Sequence, residues 1–167
     1  IRSLDAADAH YAGLTWRAHG DDLAAMRGRQ DSAFVDTGYT VLAWRGLSAK
    51  PTKQTYDFAA DASFPKNMRV ASYRTPQWSE DGTTIVFGIA PRDPKTPRAQ
   101  RAPGELPPAR VQVWHWKDLR QFHQQEVNAA QDRQRTTPVA WHIGSSSVVR
   151  LSDDPLETVS LAENGKA

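Results

Sequence analysis

Short runs of alternating apolar and polar residues, separated by turns that contain glycine and aspartate, are the dominant pattern along this chain. The clearest example is residues 75–89: a short strand carries Trp78, Asp81 and Gly82 close a tight turn, and residues 85–89 form a second run of mainly β-branched and aromatic residues. Glycine reaches positive φ without steric cost, and aspartate can accept a bond from the following backbone. The stretch therefore predicts a β-hairpin.

The same signature recurs along the sequence. A shift of 62 residues, from position 78 to position 16, places Trp16 on Trp78 and Gly20 on Gly82. At these strand positions we expect Trp16 and Trp78 to be core residues between blades. Residues 159–165 align with the hairpin after a forward shift of 83 residues, from position 78 to position 161. Such recurrence is typical of repeat architectures, in which each small sheet stacks on its neighbours because it cannot bury both of its faces alone. We therefore predict an all-β fold, an incomplete β-propeller of about two and a half four-stranded antiparallel blades.

The repeats divide the chain into consecutive blades of one domain fragment that covers residues 1–167. Blade one is expected at about 12–60 and blade two at about 73–151. A third blade opens at 156–167, with Leu161 in the tryptophan position. Since propellers close with about four to eight blades, we expect the chain to be a piece of a longer propeller. Its exposed sheet edges would favour self-association.

Within blade one, the pattern predicts a first hairpin from strands 14–17 and 22–26, a third strand at 39–45 and an outer strand at 55–59. One helix is predicted near 119–135, because this segment lacks glycine and proline and is rich in Gln, Ala, Arg and Glu. It is expected as an insertion between strands.

Two stretches compete for the third strand of blade two. Ala140-Trp141-His142 resembles Ala43-Trp44-Arg45 of blade one, but His115-Trp116-Lys117 resembles it equally. The sequence leaves both open.

Composition and charge exclude some classes of partner. The chain is 39% hydrophobic with six tryptophans, which is enough for a core. Its formal net charge of +2 is too small to indicate a nucleic-acid surface. No apolar run approaches the roughly 18 residues of a membrane span, and the absence of cysteine excludes disulfides and thiolate chemistry.

The sequence contains two sets of residues with the chemistry of a metal or catalytic site, and each lacks a required feature. His115 and His123 are eight residues apart across a predicted strand–helix junction and lack the spacing of a zinc motif. Ser145, His142 and Asp153 contain the residue types of a triad, but they lie close together in sequence and no G-x-S-x-G elbow is present. We expect no catalytic residue, cofactor site or metal site in the chain.

Trp114 and Trp116 are the candidate contact residues. Side chains alternate along a strand, so both tryptophans share one face while the histidine between them points the other way. One such face must be packed, and the alternatives are core packing or contact with a peptide or partner.

Two segments of the chain resemble a known family. Residues 77–82, Gln-Trp-Ser-Glu-Asp-Gly, followed by Ile85-Val86-Phe87, resemble the repeat unit of TolB-like propellers. Residues 113–118, Val-Trp-His-Trp-Lys-Asp, with the helix and hairpin that follow, resemble the N-terminal propeller of bacterial prolyl oligopeptidase-family serine peptidases, which include dipeptidyl peptidase IV-like and acylaminoacyl peptidases.

The resemblance implies a non-catalytic role for this chain. In that family the propeller covers a separate α/β-hydrolase domain of the same polypeptide and admits peptide substrates. The implied setting is a soluble bacterial protein of the periplasm or cytoplasm, with no bound cofactor. The alternative function is a TolB-like propeller that acts as a protein–protein interaction module.

Overall fold

The computed structural model describes residues 3–95 and 122–153. Within them the chain forms two antiparallel β-sheets and one helix. The predicted third blade at 156–167, with Leu161, lies outside the described residues, as do Trp114, His115 and Trp116.

Sheet 1 is a four-stranded meander in which each strand pairs with the next along the chain. Its strands are β1 (Tyr11–Trp16), β2 (Leu23–Arg29), β3 (Gly38–Arg45) and β4 (Thr52–Tyr56). The first three contain the strands predicted for blade one to within a few residues. The outer strand lies three residues before its predicted position, because Asp57 and Phe58 belong to a turn in which the Phe58 ring is nevertheless buried.

Sheet 2 has the same order of strands, with an interrupted first strand. The segments β5 (Met68–Ala71) and β6 (Gln77–Trp78) both pair with β7 (Thr84–Pro91), which is followed across the sheet by β8 (Thr137–His142) and β9 (Ser147–Arg150). The sheet begins at position 68, before the predicted start near 73. Helix α1 (Phe122–Arg133) lies between β7 and β8 in the chain, within the predicted helical segment.

The strand pairing shows which of the two candidate stretches is the third strand of sheet 2. Ile85 pairs with Trp141 in sheet 2, just as Leu23 pairs with Trp44 in sheet 1. Ala140-Trp141-His142 is therefore the counterpart of Ala43-Trp44-Arg45.

The main core lies between the two sheets. Sheet 1 contributes alanine, methionine and valine side chains of β2 and β3 together with Tyr39 and Tyr56, and sheet 2 contributes a row of larger residues. The Tyr56 ring lies 5.7 Å from the ring of Phe87 and 5.8 Å from that of Trp141, centroid to centroid. Phe58 and Phe64, in the connection between the sheets, also pack into this core. The sheets thus stack face to face through aromatic contacts.

Candidate functional site

The 62-residue repeat predicted from sequence is present in the strand register. Trp16 pairs with Leu23 in sheet 1, and Trp78 pairs with Ile85 in sheet 2, so both partners are displaced by the same 62 positions. Residues directly opposite each other in an antiparallel pair project to the same side of the sheet. The two first hairpins are therefore equivalent in register next to their turns. Farther from the turn they differ, because Met26 pairs with Ala12, whereas its counterpart Gly88 pairs with Ala71.

The equivalent rows of side chains in the two sheets nevertheless lie in different environments. In sheet 2 the row Trp78, Ile85 and Trp141 packs against sheet 1 within the main core. In sheet 1 the corresponding Leu23 and Trp44 belong to a separate apolar cluster, on the side that faces away from sheet 2. We call this side the open face; it carries Tyr11, Leu14, Trp16, Leu23, Ala25 and Trp44.

The prediction that Trp16 and Trp78 are both core residues is wrong for Trp16. The exposed fraction of Trp16 is 57%, against 9% for Trp78. Leu14, two residues earlier on the same face, is 65% exposed. The reason is physical: sheet 1 covers Trp78, whereas no described sheet lies over Trp16.

A groove of about 580 Å³ runs along the open face. Its walls include Tyr11, Leu14, Leu23 and Trp44, and its floor includes Ala25. The 62-residue shift places Ala25 at the position of Phe87, whose ring fills the equivalent space in the main core. The groove therefore exists partly because sheet 1 has a methyl group where sheet 2 has a phenyl ring.

The amino-terminal segment closes one side of the groove. Leu4 packs against the apolar cluster of the open face, and its carbonyl oxygen accepts a bond of 3.3 Å from Trp44 Nε1. Asp5 fixes this segment, because its carboxylate accepts bonds from Lys53 Nζ at 2.7 Å, Tyr11 OH at 2.6 Å and Arg27 Nη1 at 3.1 Å. The bond from Lys53, then that from Tyr11, lowers the pKa of Asp5 to about 2.

The equivalent turns of the two sheets are joined by one arginine. Arg17 Nε donates to the buried carboxylate of Asp22 at 2.7 Å, and Arg17 Nη1 donates to the carbonyl oxygen of Glu80 at 3.1 Å. A Cβ at Gly82 would lie 3.1 Å from Arg17 Nε, and one at Gly20 would lie 2.6 Å from Arg17 Nη2. Both glycines leave room for the guanidinium.

The turns themselves are less alike than their sequences suggest. Gly82 has a φ of 68°, as its place in the turn requires, but in sheet 1 the positive φ of 55° belongs to His19 and not to Gly20. Asp81 accepts bonds from Ser79 Oγ and from the backbone and hydroxyl of Thr83. These bonds lower the pKa of Asp81 to about 2, with the bond from Ser79 contributing most. Asp81 is thus a turn residue, as predicted.

The candidate triad is not assembled among the described residues. His142 Nδ1 lies 3.1 Å from Thr84 Oγ1, and Ser145 Oγ lies 2.7 Å from Ser147 Oγ. Asp153 instead forms an ion pair of 3.5 Å with Arg150. Each of the three has a separate partner.

Within residues 3–95 and 122–153, no three His, Asp or Glu side chains come close enough to hold a metal ion. The only helix described is too short and too polar to cross a membrane.

The residues that sequence reasoning missed are those of the groove, above all Leu14 and Ala25. The signal was available in the same 62-residue shift, which aligns a small residue with Phe87. What the shift could not tell was whether a neighbouring sheet covers the open face.

Comparison of the chain with protein-family profiles, with curated proteins and with solved structures finds no match.

Proposed function

We propose that the chain is part of a β-propeller and that this propeller is a non-catalytic filter over an α/β-hydrolase domain of the prolyl oligopeptidase type. The observation that supports the propeller most is the shared register: Trp16–Leu23–Trp44 and Trp78–Ile85–Trp141 occupy equivalent positions in two successive antiparallel sheets with the same order of strands. Sheets that repeat in sequence, in strand order and in register are the building plan of propellers.

The peptidase part of the proposal rests on the resemblance of residues 113–118, with the helix and the hairpin that follow them, to that family. The mechanism is steric. A ring of stacked sheets leaves a central passage that admits unfolded peptides and rejects globular proteins. In this role the chain contributes the stiffness of the wall, through the aromatic core between its sheets and the arginine that joins their turns.

The alternative, a TolB-like interaction module, is favoured by a different observation. The open face presents Leu14 and Trp16 at 65% and 57% exposure beside an apolar groove. Contiguous exposed apolar surface is typical of protein interaction sites. In this reading the propeller binds another protein and no hydrolase follows it.

The full-length gene product separates the two functions. The peptidase proposal expects a downstream G-x-S-x-G motif, cleavage of short peptides but not of folded proteins, and complete loss of turnover when the serine of that motif is replaced by alanine. A gene without a hydrolase domain, or a full-length protein without peptidase activity, rejects the proposal and favours the interaction module.

A second measurement tests the filter itself. Phe87→Ala in the full-length protein removes a ring from the inter-sheet core and should loosen the wall, so that cleavage of long unfolded chains rises relative to cleavage of short peptides. Val127→Ala, on the exposed face of α1, is the matched control and should leave the ratio unchanged. Equal ratios for both variants would contradict a steric filter.

A further inference from the structure

The open face has a structural counterpart whose cover is visible. In sheet 2 the row Trp78, Ile85 and Trp141 is covered by β2 and β3 of sheet 1, through Ala24, Met26, Val41 and Ala43, and by Tyr56 of β4. The open face repeats this row as Trp16, Leu23 and Trp44 in the same register. Because the two rows are equivalent, we expect a sheet to pack on the open face as sheet 1 packs on sheet 2.

From this equivalence we propose that the open face is the docking surface for a further four-stranded antiparallel sheet, encoded in the same polypeptide upstream of Ile1. The inference rests on the propeller architecture proposed above but not on the peptidase assignment. It is independent of the hydrolase, because it concerns only how sheet 1 is covered.

The chain carries an internal precedent for how such a sheet would be connected. The connection that enters sheet 2 places Phe64 in the core between the sheets. The segment that enters sheet 1 places Leu4 against the open face in the same manner, and Asp5 holds it there through three donors. The amino-terminal segment therefore runs along the open face, as a connection from a covering sheet would.

The shape of the groove specifies the chemistry of the cover. Ala25 stands where Phe87 fills the interface between sheets 1 and 2, so the covering sheet must supply a larger side chain at this point than sheet 1 supplies to sheet 2. We therefore expect a large apolar residue on its inner strands.

The bond between the two turns also predicts where the covering sheet would form a hydrogen bond with sheet 1. Arg17 follows the first strand of sheet 1 and donates to the carbonyl oxygen of Glu80 in the first turn of sheet 2. The 62-residue shift makes Ala18 the counterpart of Glu80. A basic residue just after the first strand of the covering sheet would reach the Ala18 carbonyl.

The absence of cysteine from the sequence allows a direct test by thiol labelling. Leu14→Cys is introduced into two proteins: the 167-residue chain, and the same chain extended at its amino end with the upstream sequence of its own gene. The extension is at least one repeat long, which is 62 residues, the distance from position 16 to position 78. A maleimide should label the thiol rapidly in the shorter chain and about tenfold or more slowly in the extended one. Val127→Cys, which is 66% exposed on α1, is the control and should label equally in both.

Each other outcome overturns the proposal. Equal labelling of Leu14→Cys in both chains means that the upstream segment does not cover the open face. Protection in the shorter chain that grows with protein concentration means that a second copy is the occupant. A natural polypeptide that begins at Ile1 leaves no upstream sheet to dock. Peptidase activity of the full-length protein is a separate readout, so its failure would leave this result intact.

Discussion

The two tryptophans at equivalent positions, Trp16 and Trp78, separate what the sequence of a repeat determines from what its neighbours determine. Both lie at the end of a first strand and pair with the same position of the second strand. One is 57% exposed and the other 9%. The strand, the turn and the register are local properties, whereas burial depends on whether another sheet lies on that face.

Replacing each tryptophan by alanine should give very different losses of stability. Trp78→Ala leaves a cavity in the core between the sheets and should lower the free energy of unfolding by about 3–5 kcal/mol. Trp16→Ala removes an exposed side chain and should cost less than about 1 kcal/mol. Urea unfolding of the 167-residue chain measures both. Equal losses would mean that the two sheets do not stack as described.

Removing the arginine that joins the two turns should have an intermediate effect. Arg17→Met leaves the carboxylate of Asp22, 5% exposed, without its charged partner, and we expect a loss of about 2 kcal/mol in the free energy of unfolding. Arg29→Met is the control, because the pair between Arg29 and Asp57 is 3.8 Å long and largely exposed. Its cost should stay within about 0.5 kcal/mol. A larger loss for the control would contradict the role of Arg17.

The backbone of the two turns offers a third comparison. Gly82→Ala puts a Cβ on a residue with a φ of 68° and close to Arg17, so we expect a loss of about 1 kcal/mol. His19→Gly relieves the positive φ of 55° in the equivalent turn, so it should be neutral or stabilising by a few tenths of a kcal/mol. Thermal unfolding of both variants gives the result. Destabilisation by His19→Gly would show that the histidine side chain matters more than its backbone.

Acid should weaken the attachment of the amino-terminal segment to the open face. The folded-state pKa of Asp5 is about 2, below its ordinary value of 3.8, so its stabilising contribution is complete above about pH 5 and is lost as the pH falls through about 2. Asp5→Asn should therefore lower stability at pH 7, and the difference from wild type should shrink as the pH falls from about 5 to about 2. Asp8→Asn, in the same segment, is the control for charge removal. A difference that does not change with pH would contradict the ion-pair account. Unfolding followed at several pH values supplies the comparison.

Much of the fold followed from short-range patterns, and the exceptions have physical reasons. Asp81-Gly82 and the alternation around it were enough to place a hairpin, because turn and strand propensities act over a few residues. The choice between Trp116 and Trp141 for the third strand was not local, since both stretches alternate alike and only pairing with Ile85 distinguishes them. The predicted end of the outer strand was wrong at Phe58. Its apolar side chain suggested a strand position, but its ring packs into the core from a turn.

The candidate site was less accessible from sequence. Trp114 and Trp116, chosen for their shared face, lie outside the described residues and stay predictions. The open face is not predicted as a contact surface from the sequence, because the repeat places Trp16 in the core by analogy with Trp78. The exposure of Leu14 and Trp16 depends on which sheet lies over them, whereas Leu23 and Trp44 of the same face are buried. A single sequence does not carry this information.

The most direct test of the repeat is the strand register of both sheets, measured by amide and α-proton contacts in solution NMR. The account predicts cross-strand contacts from Leu23 to Trp16 and Trp44, and the same pair of contacts from Ile85 to Trp78 and Trp141. Contacts from Ile85 to a strand other than β6 and β8 would contradict it. So would a shift of one residue in the pairing of Trp78 with Ile85 relative to the pairing of Trp16 with Leu23.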